Sequence, residues 1–361
     1  MKKSLLAFAV LGTFAGVANA QSTVTLYGIV DTFYENVDNG PKNVNRIENG
    51  GLQGSRIGFK GAEDLGGGTK AIFTIEGGFN PDTGSSAQGG LTWGRQAFVG
   101  LQGDFGMATL GRQYSPLYDF LLIYGNGGGL NFGNASNYYA FSGANAVNQQ
   151  RINNSVKYSS PIWSGFSLSG VYGFGENATT GVATTAGNTA AIRANYTLAG
   201  LNVGALYQET KNTPAVGVST TKFKAWTIGA NYDFGVIKPS VIFQKDKQST
   251  SPIAAAGVDN HYWELGATAP LGGGSLLADI GQFKNKAVTA GNADSKTASV
   301  RYDYGLSKRT TVYGGVSKIW NESAASFGIA GAGNTAVVPG NTAAGNGVDP
   351  RSVIVGVRHV F

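Results

Sequence analysis

No cysteine occurs among the 361 residues. That absence excludes disulfide bracing, thiolate catalysis and most zinc sites. Charge is scarce too: Asp, Glu, Lys and Arg make up 13% of the chain, where soluble domains carry about 25%. No Lys/Arg run exceeds two residues, which argues against nucleic acid as a partner. Histidine is nearly missing, with two residues. After residue 20 no stretch reaches the roughly 18 consecutive apolar residues that a membrane-spanning helix needs. No motif calls for a cofactor or a metal ion.

What the chain has instead is glycine, asparagine, threonine and aromatic residues. Glycine is 56 of 361, about double the usual share of roughly 7%, and aromatics reach 11%. The first twenty residues, MKKSLLAFAVLGTFAGVANA, read as a secretory signal peptide. Lys2 and Lys3 form its positive end, Leu5 to Val17 its apolar core, and Ala18-Asn19-Ala20 an A-x-A cleavage site. The core is too short for a membrane anchor. Cleavage leaves a domain of residues 21–361 with 25 basic against 21 acidic residues, a net charge of +4.

That domain alternates in polarity almost throughout. In KAWTIGANYDF (224–234), Trp226, Ile228, Ala230, Tyr232 and Phe234 share one parity, against Thr227, Gly229, Asn231 and Asp233. TASVRYDYGL (297–306) and SVIVGVRHVF (352–361) behave alike. Helical spacing is absent except near Leu117–Tyr124. Sixteen strands are expected: 22–37, 51–64, 69–79, 92–102, 106–113, 151–159, 165–174, 189–198, 201–211, 221–234, 237–247, 260–270, 274–284, 295–305, 309–320 and 350–361.

The connections carry more information than the strands. Even-numbered strands end in tight turns such as LGGG (65–68), GDF (103–105), Ala199-Gly200 and LSK (306–308). Odd-numbered strands end in long loops, 38–50, 80–91, 114–150, 175–188, 212–220, 248–259, 285–294 and 321–349. Strict alternation of short and long connections means consecutive antiparallel hairpins whose two ends face different compartments. A transmembrane β-barrel has this organisation, with short periplasmic turns and long external loops. A β-sandwich has no reason to segregate loop lengths, and a β-helix needs a short fixed repeat that is not present. In lipid the sheet must close, and sixteen strands enclose an aqueous channel. In GSRIGFKG (54–61), Ile57 and Phe59 then face lipid, while Arg56 and Lys60 face the lumen.

Six stretches are informative together: QSTVTLYGIVDTFYE at the start of the mature chain, GSRIGFKGAEDLGGGTKAIFTIE (54–76), WGRQAFVGL (93–101), FGMATLGRQYSP (105–116), RINNSVKYSSP (151–161) and GVRHVF (356–361). Through them the chain resembles the general porins of Gram-negative outer membranes, and among these the betaproteobacterial trimeric porins. The resemblance implies a sixteen-stranded antiparallel barrel assembled as a homotrimer, set in outer-membrane lipid and lipopolysaccharide, that passes small hydrophilic solutes and catalyses nothing. It implies that the third loop folds into the lumen. Loop 114–150 is the longest of the eight at 37 residues, and it has IYGNGGGLNFGN where enterobacterial members have Pro-Glu-Phe-Gly-Gly. It also implies that Phe361, with His359 where the family has an aromatic, is read by the barrel-assembly machinery.

Selectivity depends on charges at the narrowest point of such a pore. On the lumen parity stand Arg56, Arg95 (taken with Ala97 and Val99) and Arg151 (taken with Asn153, Ser155 and Lys157, against Ile152). The family places an arginine cluster on these early strands, opposite the inward loop. Lys60 and Lys157 lie further along the same faces, and Arg193 faces the lumen between Ile192 and Ala194. Against these bases, residues 113–150 contain one acid, Asp119. A positive constriction and a mild anion preference are expected. Arg112 shares the outward parity of Leu110, at a strand end or a subunit interface. Tyr27, Phe73, Trp226, Trp263, Tyr302 and Phe361 suit interfacial aromatic girdles.

Other classes fit less well. A barrel protease or phospholipase needs a base, but His359 falls on the lipid parity and His261 at the rim. A substrate-specific channel for sugars or small anions is the nearest alternative. It calls for an ordered aromatic slide or a longer basic ladder. An adhesin or phage-receptor role would leave no signature.

Overall fold

The computed structural model describes residues 23–38, 40, 42–141, 149–212, 216, 221–248, 258–287, 291–329 and 346–361. The expected signal peptide and its cleavage site lie outside the described residues. Seventeen strand segments follow one another: β1 (Thr23–Asp38), β2 (Asn43–Asn49), β3 (Arg56–Gly66), β4 (Thr69–Gly78), β5 (Gln96–Gly103), β6 (Gly106–Tyr114), β7 (Arg151–Ser159), β8 (Phe166–Gly173), β9 (Thr189–Leu198), β10 (Leu201–Lys211), β11 (Lys222–Tyr232), β12 (Lys238–Gln248), β13 (Asp259–Leu271), β14 (Gly274–Asn285), β15 (Ser295–Gly305), β16 (Thr310–Asn321) and β17 (Arg351–Val360).

They make sixteen staves, because β2 and β3 pair with successive halves of β1. Thr32–Asp38 pair with β2 and Thr23–Ile29 with β3. Every neighbour is antiparallel. β1 also pairs with β17, from Ile29 opposite Val360 to Asp38 opposite Arg351. Gly28 and Phe361 extend that ladder by exchanging two backbone hydrogen bonds of 3.1 Å. The sheet is therefore closed and leaves no open edge in lipid. The expected alternation of connections holds, and Ala199-Gly200 makes a two-residue turn with both φ angles positive, 46° and 87°, as right-twisted hairpins favour.

Side-chain parity sorts the two faces. Ile57, Val99, Leu110 and Val355 are exposed on the outer wall, and so are Trp226, Val353 and Val357. Phe59 pairs opposite the exposed Leu26 and shares that wall. Lys60, on the other parity, turns inward, and its ammonium lies 5.4 Å over the Tyr27 ring.

Three expectations need correction. The first long connection is not a loop throughout, since β2 lies inside 38–50, and the strand expected at 51–64 is broken at 50–55. The cause is Asp31. Its carboxylate accepts the amides of Leu52 (2.9 Å) and Gln53 (2.6 Å) and the Tyr313 hydroxyl (2.5 Å). Gly50, at φ +77°, lets the chain turn into the barrel there, and Leu52 joins a buried cluster with Phe33 and Phe132. Second, β7 changes parity midway. Asn154 takes φ +48°, the β6–β7 register shifts between Gly111 and Gln113, and Ile152 packs inside on Val171 and Ala191 instead of facing lipid. Third, Tyr27 is no girdle residue. It points into the lumen, where its hydroxyl donates to Glu76 (2.9 Å).

Loop 114–150 runs into the barrel. Its first helix, Pro116–Tyr124, is capped by Ser115, whose side chain accepts the Tyr118 amide, and has proline in its first turn. Leu117, Phe120, Leu121 and Tyr124 are fully buried against the wall. The wall makes room with glycine: a Cβ at Gly204 would stand 2.4 Å from the Tyr124 hydroxyl, and one at Gly229 2.9 Å from the Phe120 ring. A second helix, Ala135–Tyr139, lies against β13 and β14.

Candidate pore constriction

The inward loop is pinned around the lumen by the inner faces of many staves. Tyr124 donates to Asn195 of β9 (3.1 Å). Glu264 of β13 accepts the amides of Asn126 (3.0 Å) and Ser136 (2.6 Å), and Asp279 of β14 accepts that of Ala135 (2.9 Å). Arg301 of β15 donates to Asn131 Oδ1 (2.5 Å) and to the Phe132 carbonyl (2.8 Å). The loop then reaches the far side, where the Phe132 amide donates to the Gly51 carbonyl (2.7 Å). Each bond satisfies a loop polar group that would otherwise be buried without a partner.

At the start of the loop, β4–β7 bring the charged wall together. Glu76 is its centre. Arg95 Nε donates to Glu76 Oε1 (2.7 Å), as does the Tyr114 hydroxyl (2.6 Å). A second Arg95 nitrogen donates to Tyr114 (2.8 Å). Tyr114 stacks on Tyr118 at 4.4 Å between centroids. The Arg151 guanidinium sits 5.3 Å from the first ring and 5.8 Å from the second. Lys157 donates to Asp119 (2.5 Å) and to the Tyr114 carbonyl (2.9 Å). The Arg56 side chain donates to the Gly54 carbonyl (2.9 Å).

Counting charges decides what this wall can do. Arg56, Arg95, Arg151 and Lys157 stand against Glu76 and Asp119. Arg95 and Lys157 are neutralised in ion pairs. Arg56, Arg151 and Arg193 form no ion pair among the described residues, so the excess charge is positive. Towards the short turns a cavity of about 540 Å³ carries Lys238, Arg301 and Arg358 with one acid, Asp303, which pairs with Arg301. The result is a water-filled passage with a cationic lining, and no group of three or more metal-ligating side chains occurs among the described residues.

A family profile described as "Gram-negative porin" matches residues 7–324. The chain belongs to this family. It is 36% identical to an outer membrane porin of Delftia acidovorans, over the full length of both chains. It is 33% identical to one from Bordetella pertussis, over 87% of this chain and 93% of the relative. Among solved structures, the anion-selective porin from Comamonas acidovorans superposes with a TM-score of 0.81 at 32% identity, covering 94% of this chain and all of the other. The molecule is therefore an outer-membrane porin, a passive diffusion channel and not an enzyme.

Several positions in this porin differ in setting from their sequence reading. Arg95 lies inside the barrel, but not by sharing the face of Val99, which is exposed on the outer wall. It precedes β5, at a bend where alternation has not begun. Arg151 lies inside although Asn153 does not, because of the β7 bulge. Arg193 is inward, opposite the buried Ser169. Arg112 stays on the outer wall, where it donates to the Gly94 carbonyl (2.8 Å) and to Asn153. His359 is outward and shares a 2.9 Å hydrogen bond with Thr310.

Sequence reasoning missed Glu76, Tyr27 and Arg301. The signal for Glu76 was present, since it shares parity with Thr74 and opposes Ile75. Arg301 likewise stood on the polar parity with Ser299 and Asp303. Nothing in the sequence announces that a loop carbonyl waits for it.

Proposed function

We propose that this porin is a general diffusion pore with a mild preference for anions. The observation that carries the reading is the pairing pattern at the constriction. Both carboxylates of the β4–β7 side of the constriction, Glu76 and Asp119, are spent in ion pairs with Arg95 and Lys157, and Glu264 and Asp279 across the lumen are turned to loop amides, while Arg56, Arg151 and Arg193 keep their charge for a passing ion. Lys60 adds to the same field from nearer the short turns. The 32% identity to a porin titled anion-selective supports the same sign. The working unit is a homotrimer in outer-membrane lipid and lipopolysaccharide. It is delivered through cleavage after Ala20 and is inserted by the barrel-assembly machinery, which reads Phe361 and His359. The closing pair of Phe361 with Gly28 makes that end the last seam of the barrel.

The test is the reversal potential of the purified protein in a planar bilayer across a KCl gradient. A chloride-directed potential is expected. A potassium-directed one would keep the channel but move control of the constriction to carboxylates elsewhere.

A further inference from the structure

The first helix of the inward loop turns an apolar face to the water-filled passage. Leu117, Phe120, Leu121 and Tyr124 are spent on the barrel wall. Asp119, Leu122 and Ile123 share the other face, at the i, i+3 and i+4 spacing of one helix surface. Asp119 is paired with Lys157. Leu122 and Ile123 stay 39% and 37% exposed, in a lumen whose lining is otherwise expected to be polar. Both line the cavity of about 540 Å³ towards the short turns.

The barrel wall of the same cavity is basic. Lys238, Thr268, Leu277 and Arg301 stand directly opposite one another on successive staves from β12 to β15, and so form one inward row. The loop is tied beside this row. Thr268 donates to Asn126 (2.9 Å), and the Asn231 side chain donates to the Ile123 carbonyl (2.8 Å). Asn231 is opposite Ser240, the next inward residue of β12 after Lys238. Arg358 of β17 donates to Gln53 and Thr311, both at 3.2 Å, while its Nε is buried without a partner. The buried Ser240 hydroxyl has no partner either among the described residues. Asp303 is the one acid in the lining, and it is paired with Arg301. Lys238 and Arg358 form no ion pair among the described residues.

We propose that this cavity is a binding station for monocarboxylates with a compact apolar body, of which benzoate is the simplest aromatic case. The carboxylate meets Lys238 and Arg358, and the ring lies on Leu122 and Ile123. The proposal deepens the anion reading above and rests on it. The lining selects the ligand by two features at once. An inorganic anion or a fully hydrophilic one uses the bases and leaves the two aliphatic side chains wet. A neutral apolar solute covers those side chains and leaves the bases uncompensated. An anion with an apolar body satisfies both, because it removes apolar surface from water on each side of the contact.

The experiment uses the full porin in a planar bilayer, carrying current in KCl at neutral pH, with potassium acetate or potassium benzoate added to both sides. A bound carboxylate should reduce the chloride current saturably. Half-block by benzoate is expected at a concentration roughly tenfold below that for acetate, since the two share a charged end and differ in the apolar surface they bury. Leu122→Ser with Ile123→Ser should bring that ratio to about twofold or less. Both side chains are exposed, so this change leaves the buried face of the helix intact. Lys238→Gln with Arg358→Gln should weaken the block by either carboxylate, roughly fivefold or more. Three results each overturn the proposal: benzoate no stronger than acetate in the wild type, undiminished preference for benzoate without Leu122 and Ile123, or a benzoate block indifferent to loss of the two bases. The reversal potential of the same channels across a KCl gradient keeps the two readings apart. A potassium-directed potential sinks the anion reading and this station with it, whereas a chloride-directed potential with equal block by both carboxylates sinks the station alone.

Discussion

Arg95 and Arg151 share one wall of the pore, yet their partners give them different work. Arg95 is clamped by Glu76 and Tyr114. Arg151 rests on the Tyr114–Tyr118 stack with no carboxylate. Replacing Arg151 and Arg56 by Ala should therefore lower the chloride-to-potassium permeability ratio directly. A unit charge a few ångströms from a permeating ion is worth about 1 kcal/mol in high dielectric, so roughly fivefold per charge is an upper figure. Glu76→Gln should move the ratio the other way, because it releases Arg95. Arg95→Ala should lower the ratio and also loosen the wall, since it leaves Glu76 buried without its cation. Reversal potentials for this set separate the roles. Equal shifts for Arg95→Ala and Arg151→Ala, with no loss of heat resistance in either, would contradict the distinction.

The inward loop is the element on which the pore depends. It is held by charged acceptors and donors on the wall rather than by its own regular structure. Arg301 carries two charge-assisted bonds to it, each worth about 1.5–3 kcal/mol. Arg301→Ala should raise open-channel noise and change single-channel conductance. Arg301→Lys should rescue poorly, because a compact ammonium cannot reproduce the planar fork. Gly281→Ala tests the same element from the packing side. Its Cβ would stand 2.3 Å from that of Ala135, two rigid atoms that cannot move apart without shifting the second loop helix. Quiet, wild-type single-channel traces in both variants would show that the loop is held elsewhere. Asp31 is the matching device on the wall itself. Asp31→Ala strands the amides of Leu52 and Gln53 and the Tyr313 hydroxyl, at about 1–3 kcal/mol for each unsatisfied group. Its thermal unfolding temperature should fall while its strand content at room temperature stays the same.

On the scale of the whole molecule, closure is the source of robustness. Each stave bonds only to its two neighbours, and the β1–β17 seam removes the last free edge. The unheated protein should migrate in detergent gels as a large, heat-labile assembly and collapse to a monomer band only on boiling. Migration as a monomer without heating would argue against the trimer.

Much of this architecture is written locally. Period-two alternation, the tight turns after every second stave and the shortage of charge suffice to imply a closed, water-filled barrel, because in lipid each residue's face is dictated by its parity alone. The same rule identified Arg56, Lys157 and Arg193 as inward. It failed where alternation stops: at the bend before β5, at the Asn154 bulge and at the break over 50–55. There, backbone groups are satisfied by side chains distant in sequence, such as Asp31. Pairing of charge is likewise a tertiary property. Glu76 meets Arg95 once β4 and β5 pair, and it meets Tyr114, and Asp119 meets Lys157, only once the third loop has entered the lumen. Composition counts every charge in the pore, but which charges remain uncompensated depends on distances of about 3 Å between residues up to 38 positions apart, and folding alone sets those.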